Sequence, residues 1–86
     1  MKPTDKKFEA AVAHYQAGRM DAAAAICKKI LIGHHKNIDA LRMQGSIALR
    51  AGRAGPAINY LTKATRESGD DAQMLTELGF AFLELN

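Results

Sequence analysis

The sequence predicts an all-α fold, an α-solenoid of antiparallel helix pairs that contains five helices. Alanine and leucine are frequent, β-branched residues are sparse and aromatic residues make up only 6% of the chain, a composition that favours helix over strand. Apolar residues recur at helical spacing. Segments of the chain also recur with a period of 34 residues, which is typical of stacked helix pairs.

The internal repetition divides the chain into units. The tripeptide Ala-Gly-Arg at 17–19 recurs at 51–53, and the pattern Leu-x3-Gly-x3-Leu at 41–49 recurs at 75–83. Both recurrences have the same period, so we predict a single domain built from stacked repeats. The predicted domain covers residues 1–86, with a repeat over 4–37, a second repeat over 38–71 and a half repeat over 72–86.

Capping residues, glycine and proline mark the ends of the predicted helices. Gly18 and Gly52 are expected to end two helices, because glycine readily adopts the left-handed conformation found there. Thr4 and Asn37 are candidate N-caps. Pro56 is expected in a first turn, where its missing N–H costs least. The predicted helices cover residues 4–17, 20–32, 38–51, 54–67 and 72–85.

Two glycines, Gly45 and Gly79, fall inside predicted helices. A glycine in a helix interior costs about 1 kcal/mol relative to alanine. Its presence there predicts a close approach of a neighbouring helix, because a side chain would push the neighbour away.

The residues at fixed positions of each unit resemble those of a known family. Residues 75–82 read Leu-x2-Leu-Gly-x2-Phe, and residues 41–48 read Leu-x2-Gln-Gly-x2-Ala, followed by Ala57-x3-Leu61. The chain therefore resembles the tetratricopeptide repeat family, whose unit reads W-x2-L-G-x2-Y, then A-x3-F, then P. The first repeat diverges, and its apolar stripe lies one residue out of the family register. It has Lys7, Ala10, Ala11 and His14 at the first four motif positions.

This resemblance implies a curved stack in which the first helix of each pair lines a concave groove. The groove of such proteins commonly binds a peptide or helix of a partner, so the resemblance implies a protein–protein interaction module or scaffold. Carried over to this chain, the groove residues are Asp5, Phe8, Val12, Tyr15, Asp39, Arg42, Ser46, Leu49, Arg50, Gln73, Thr76, Phe80 and Leu83. Arg42 and Arg50 would pair with a carboxylate there, unless they only form a solvated face.

Side chains suited to catalysis or metal binding are few. Cys27 lies on an apolar helix stripe, which predicts an inert core thiol. The adjacent His34 and His35 do not have metal-ligand spacing with His14, so they predict no metal site. No phosphate-binding glycine loop, CxxC or HExxH motif occurs. We therefore expect no enzyme and no cofactor. The alternative is an N-terminal accessory domain of a larger enzyme, such as a transferase.

The net charge of +3 is small, and no basic run is interleaved with aromatic residues, which does not favour a nucleic-acid partner. No apolar run reaches the length of a membrane span, and no signal peptide precedes the first helix, so the sequence predicts a cytoplasmic protein without a membrane contact. The first repeat is basic, whereas residues 72–86 carry only the acidic Glu77 and Glu84. These charges would attract one another between copies, or they are simply solvated.

The predicted fifth helix has apolar residues around most of its circumference, which a terminal repeat normally avoids. Two explanations stay open. Either the sequence is part of a longer repeat array, or a second copy or a partner covers this helix. The second explanation predicts a homo-oligomer through helix 72–85, and thus a self-assembling structural repeat as the alternative function. The residues predicted for self-association are Phe80, Phe82 and Leu85.

Overall fold

The computed structural model describes residues 3–68 and the single positions 76, 79 and 83, with the backbone alone for residues 3–5. The described chain is all-helical, which confirms the predicted fold class. The first four predicted helices all form, with ends within one residue of the prediction. They are α1 (Pro3–Gln16), α2 (Met20–Gly33), α3 (Ile38–Arg50) and α4 (Ala54–Ser68).

The predicted number of five helices is wrong for the described residues, which contain four helices. The predicted fifth helix, 72–85, lies outside the described residues except for Thr76, Gly79 and Leu83. That prediction extended the 34-residue period to a third unit. The apolar residues of the segment do not form one stripe, so its pattern specifies no single buried face.

The chain turns from α1 into α2 through a Schellman motif. The N–H of Arg19 donates to the carbonyl of His14 (2.8 Å), and the N–H of Gly18 donates to the carbonyl of Tyr15 (3.1 Å). Gly18 has a φ of +83°, the left-handed conformation that this motif needs. A Cβ disfavours that conformation, which explains why glycine ends the helix here.

The turn from α3 into α4 has the same bonds 34 residues later. The N–H of Arg53 donates to the carbonyl of Ala48 (2.8 Å), and the N–H of Gly52 donates to that of Leu49 (3.0 Å). Gly52 has a φ of +75°. The predictions that Gly18 and Gly52 end helices are therefore confirmed, and the sequence period corresponds to a recurring backbone structure at these two turns.

The connection between α2 and α3 is stabilised by Asn37. Its side-chain oxygen accepts a hydrogen bond from the N–H of Ala40 (3.0 Å), which confirms the predicted N-cap of α3. Pro56 lies in the first turn of α4, as predicted. Thr4 is not an N-cap, because α1 already begins at Pro3. The proline at that position supplies a φ suited to the first helical residue and has no N–H to satisfy.

The four helices pack in sequence order, α1 on α2, α2 on α3 and α3 on α4. Ala11, Cys27, Ile30 and Ala40 form one buried cluster that joins the first three helices. Two further clusters join α3 to α4, one around Leu41 and Ala64 and one around Ala48 and Ala57. The core thus continues along the stack and is not concentrated at one centre. None of the described helices combines the length and the apolar character needed to cross a membrane.

Gly45 allows α3 to approach α4 closely. A Cβ placed on Gly45 would lie 2.6 Å from Cγ of Leu61 and 2.7 Å from its Cδ2, and Leu61 is fully buried. This confirms the predicted close approach at Gly45. At Gly79 a Cβ would meet no described atom within 4 Å, so the described residues provide no close neighbour for the second glycine.

Candidate functional site

Two of the predicted groove residues, one on α1 and one on α3, lie in contact. The guanidinium of Arg50 on α3 lies over the ring of Tyr15 on α1, 4.9 Å from the ring centroid. Such a cation–π contact holds the guanidinium while leaving its N–H groups at the edge of the stack. We use the name α1–α3 face for this pair together with the other groove residues predicted on these two helices, namely Phe8, Val12, Tyr15, Asp39, Arg42, Ser46, Leu49 and Arg50.

The apolar members of the α1–α3 face also contribute to the core. Phe8 packs against the cluster that contains Ala11, and Leu49 packs against the cluster that contains Ala48. Both residues, like Val12, remain half-buried, so each keeps part of its side chain at the surface. The face therefore has an apolar base that the fold holds in place.

The polar members of the α1–α3 face differ in exposure. Arg42 and Ser46 are half-buried, whereas Asp39 and Arg50 are exposed. Arg42 and Ser46 each make an interaction within the chain. The remaining predicted groove residues are described only in part. Thr76 and Leu83 are exposed, Gln73 and Phe80 lie outside the described residues, and Asp5 is described by its backbone in α1. The self-association residues Phe80, Phe82 and Leu85 also lie outside the described residues.

A second surface, which the sequence does not predict, lies between α2 and α4. Two clefts of about 350 Å³ and 340 Å³ open there, and they adjoin because Lys28 and Tyr60 line both. We call them together the α2–α4 groove. Its central residues are Lys28, Leu31, Ile32, Leu41, Tyr60 and Lys63.

The α2–α4 groove and the α1–α3 face lie on opposite sides of α3. Successive helical residues turn by about 100°. Residues 41, 44, 47 and 48 of α3 and residue 51 just after it line the groove, whereas residues 39, 42, 46, 49 and 50 belong to the face. At that spacing the two sets point in opposite directions. Binding at one surface therefore leaves the other accessible.

The α2–α4 groove combines an apolar floor with basic walls. Leu41 is buried and Leu31 and Tyr60 are half-buried, whereas Ile32 at the rim is 85% exposed. The groove is lined by three basic residues, Lys28, Arg53 and Lys63, and by a single acidic residue, Asp21. This charge balance favours an anionic ligand. One feature of the sequence could have indicated the groove. Ile32 is a large apolar residue near the end of α2 that lies outside the buried stripe of that helix.

The side chains examined for catalysis or metal binding have structural positions. Cys27 is fully buried, and burial raises the pKa of its thiol to about 11, so the reactive thiolate is scarce near neutral pH. His14 accepts a hydrogen bond through Nδ1 from Nε of Arg19 (2.9 Å). His34 and His35 are exposed in the turn after α2. Among the described residues no group of three or more His, Cys, Asp or Glu could hold a metal ion.

No known family model matches the chain, and no curated protein matches it either.

Proposed function

We propose that the chain is a protein-interaction module of the tetratricopeptide repeat type, which holds a peptide or helix of a partner protein on its α1–α3 face. The observation that carries this proposal is the Tyr15–Arg50 contact. It joins two helices from different repeats at the surface and fixes a positive charge beside apolar side chains.

Two features support the assignment to this repeat type. The turns at Gly18 and Gly52 have the same hydrogen bonds 34 residues apart, which is the length of the family's unit. In the second repeat, all the motif positions of α3 and α4 are buried. They are Leu41, Gln44, Gly45, Ala48, Ala57 and Leu61.

The chemistry of the α1–α3 face specifies the kind of segment that it would hold. The N–H groups of Arg50 can donate to a carboxylate while its planar face remains on Tyr15. Val12 and Leu49 offer half-buried apolar surface for an adjacent side chain. The expected ligand is therefore a peptide with an acidic residue next to an apolar one. The proposed role is binding. The burial of Cys27 supports a role in which this thiol takes no part in catalysis.

Selection of binders from a library of random displayed peptides tests the proposal. We expect the full chain to enrich peptides that combine an acidic with an apolar residue. The Arg50→Glu variant should bind those peptides at least about tenfold more weakly, because it would place like charges opposite each other across the contact. The readout is fluorescence polarisation of a labelled, selected peptide.

Arg66→Glu is the matched control, because Arg66 is also an exposed arginine but belongs to neither surface. It changes the net charge by the same amount and should bind the peptide as the wild type does. Equal binding by Arg50→Glu and the wild type would refute the proposed site, and so would a selection that enriches no peptide.

A further inference from the structure

The two most exposed large apolar side chains of the described residues belong to two different parts of the chain. Ile32 is 85% exposed at the rim of the α2–α4 groove, and Leu83 is 69% exposed. Large apolar side chains that lie in a patch with other apolar surface often mark an interaction site. Ile32 has such surroundings, because Leu31, Leu41 and Tyr60 line the same cleft.

Leu83 belongs to a segment whose composition is the complement of the groove. Residues 70–85, called here the acidic segment, contain four acidic residues and no lysine or arginine. They also contain leucines and phenylalanines at close spacing. The groove offers the opposite charges, Lys28, Arg53 and Lys63, around an apolar floor. The segment and the groove therefore carry opposite charges, and both have apolar surface.

We propose that the α2–α4 groove of one copy of this chain binds the acidic segment of a second copy. Apolar side chains of the segment would cover Ile32 and the cleft formed by Leu31, Leu41 and Tyr60, while its carboxylates pair with Lys28 and Lys63. We assign the segment to a second copy because Ile32 and Leu83 both remain exposed within the single chain, so neither covers the other there.

The proposed contact is heterologous, since each copy contributes a groove and a segment that differ from each other. Such contacts give a closed pair when two copies exchange segments and a longer assembly when they do not. The contact uses the side of α3 opposite to the α1–α3 face. The inference is therefore independent of the proposed partner-binding function.

Absolute mass by light scattering, over a concentration series of the full chain at low salt, tests the inference. The wild-type mass should rise from 9.3 kDa toward at least twice that value. Added salt should reverse the rise, because the lysines and carboxylates at the rim of the contact are screened. A mass that stays at 9.3 kDa at every concentration would overturn the proposal.

Charge variants identify the surfaces involved. Lys28→Glu combined with Lys63→Glu should weaken association at least about tenfold, because like charges would then face each other. Lys29→Glu combined with Arg66→Glu is the matched control, since both residues are exposed, lie outside the groove and change the net charge equally. The proposal is wrong if both double variants weaken association equally.

A charge swap makes the test specific for the acidic segment. Glu77→Lys combined with Glu84→Lys should also weaken association. Adding these changes to the Lys28→Glu and Lys63→Glu variant should restore it, because the charges become complementary again. Failure of the swap to restore any association would exclude this pairing of surfaces.

One further variant and one readout complete the test. Ile32→Ser removes the exposed apolar side chain, and its exposure means that folding should be retained, as checked by circular dichroism. It should weaken association, whereas unchanged association would exclude Ile32 from the contact. Peptides selected on the α1–α3 face should bind the groove variants normally, so a failure of this inference is distinguishable from a failure of the proposed function.

Discussion

The two helical hairpins, α1–α2 and α3–α4, have the same turn but pack their helices with different residues. In α3–α4 a glycine, Gly45, faces the large side chain of Leu61. The residues 34 positions earlier are Ala11 and Cys27, which share one buried cluster between α1 and α2. Compared with the second hairpin, the first therefore has a larger residue at the position of Gly45 and a smaller one at the position of Leu61.

This difference teaches how two helical hairpins with the same turn can be packed with different core residues. A methyl group gained at Ala11 relative to Gly45 is offset by the smaller side chain of Cys27 relative to Leu61. Cores accept such exchanges when the total volume is conserved. The turns cannot vary in this way, because Gly18 and Gly52 both have positive φ.

The largest expected effect is the loss of the Leu61 side chain. Leu61→Ala should lower the free energy of unfolding by about 2–5 kcal/mol, because it leaves a cavity in the α3–α4 core. Cys27→Ala at the equivalent position of the first hairpin removes one sulfur atom and should cost about 1 kcal/mol. Urea unfolding measures both values. A larger loss for Cys27→Ala than for Leu61→Ala would contradict the comparison.

The two hairpins should also differ in their response to pH, because only the first has a titratable group at this core position. Burial raises the pKa of Cys27 from 9.0 to about 11, so the native chain retains the thiol proton where the unfolded chain has lost it. The resulting stabilisation is complete below about pH 9 and is lost as the pH rises to about 11. The free energy of unfolding should fall by about 3 kcal/mol over these two pH units, at about 1.4 kcal/mol per unit.

Unfolding in urea at pH 8 and pH 11 measures this change. Cys27→Ala is the matched control, because it differs from the wild type only by the loss of this thiol. The wild type should lose more stability than the control between the two pH values. Equal losses would show that the Cys27 thiol does not contribute to the pH dependence.

Gly45→Ala should lower the free energy of unfolding by less than Leu61→Ala does. The added Cβ would lie 2.6 Å from Cγ of Leu61, which is buried and cannot move into solvent. Overpacking of this kind costs about 1–3 kcal/mol, partly offset by about 1 kcal/mol of helix propensity. Gly33→Ala is the control, because a Cβ there meets no described atom within 4 Å, and it should be neutral or stabilising.

Combining Gly45→Ala with Leu61→Cys recreates the residue pair of the first hairpin and sharpens the same comparison. The two changes should cost less together than the sum of their separate costs, by about 0.5–3 kcal/mol, since contacting residues couple. Strict additivity in a double-mutant cycle would show that the two hairpins do not use the same kind of packing.

Much of the local structure was predictable from the sequence. The ends of α1–α4 follow from Gly18, Gly52 and Asn37, whose backbone conformation or side-chain oxygen acts within a few residues. The close approach at Gly45 was also predictable, because an interior glycine is costly unless it is needed. The predicted fifth helix, 72–85, lies mostly outside the described residues.

The candidate sites were only partly predictable. The resemblance to the repeat family selected Tyr15 and Arg50 as groove residues, and the structure brings them into contact. The resemblance gave no indication that Arg50 would stack on Tyr15. The α2–α4 groove was not predicted, because its lining comes from three helices and its shape depends on how far they stand apart.

The sequence by itself determined the helices, their turns and the direction of each buried stripe, because these depend on interactions between residues close in the chain. Only the tertiary structure decided which side chains of different helices meet. It placed Arg50 over Tyr15, seated Leu61 against Gly45, and left Ile32 exposed beside a basic groove. These outcomes depend on the distances and angles between helices, which are set by the packing of all the side chains together.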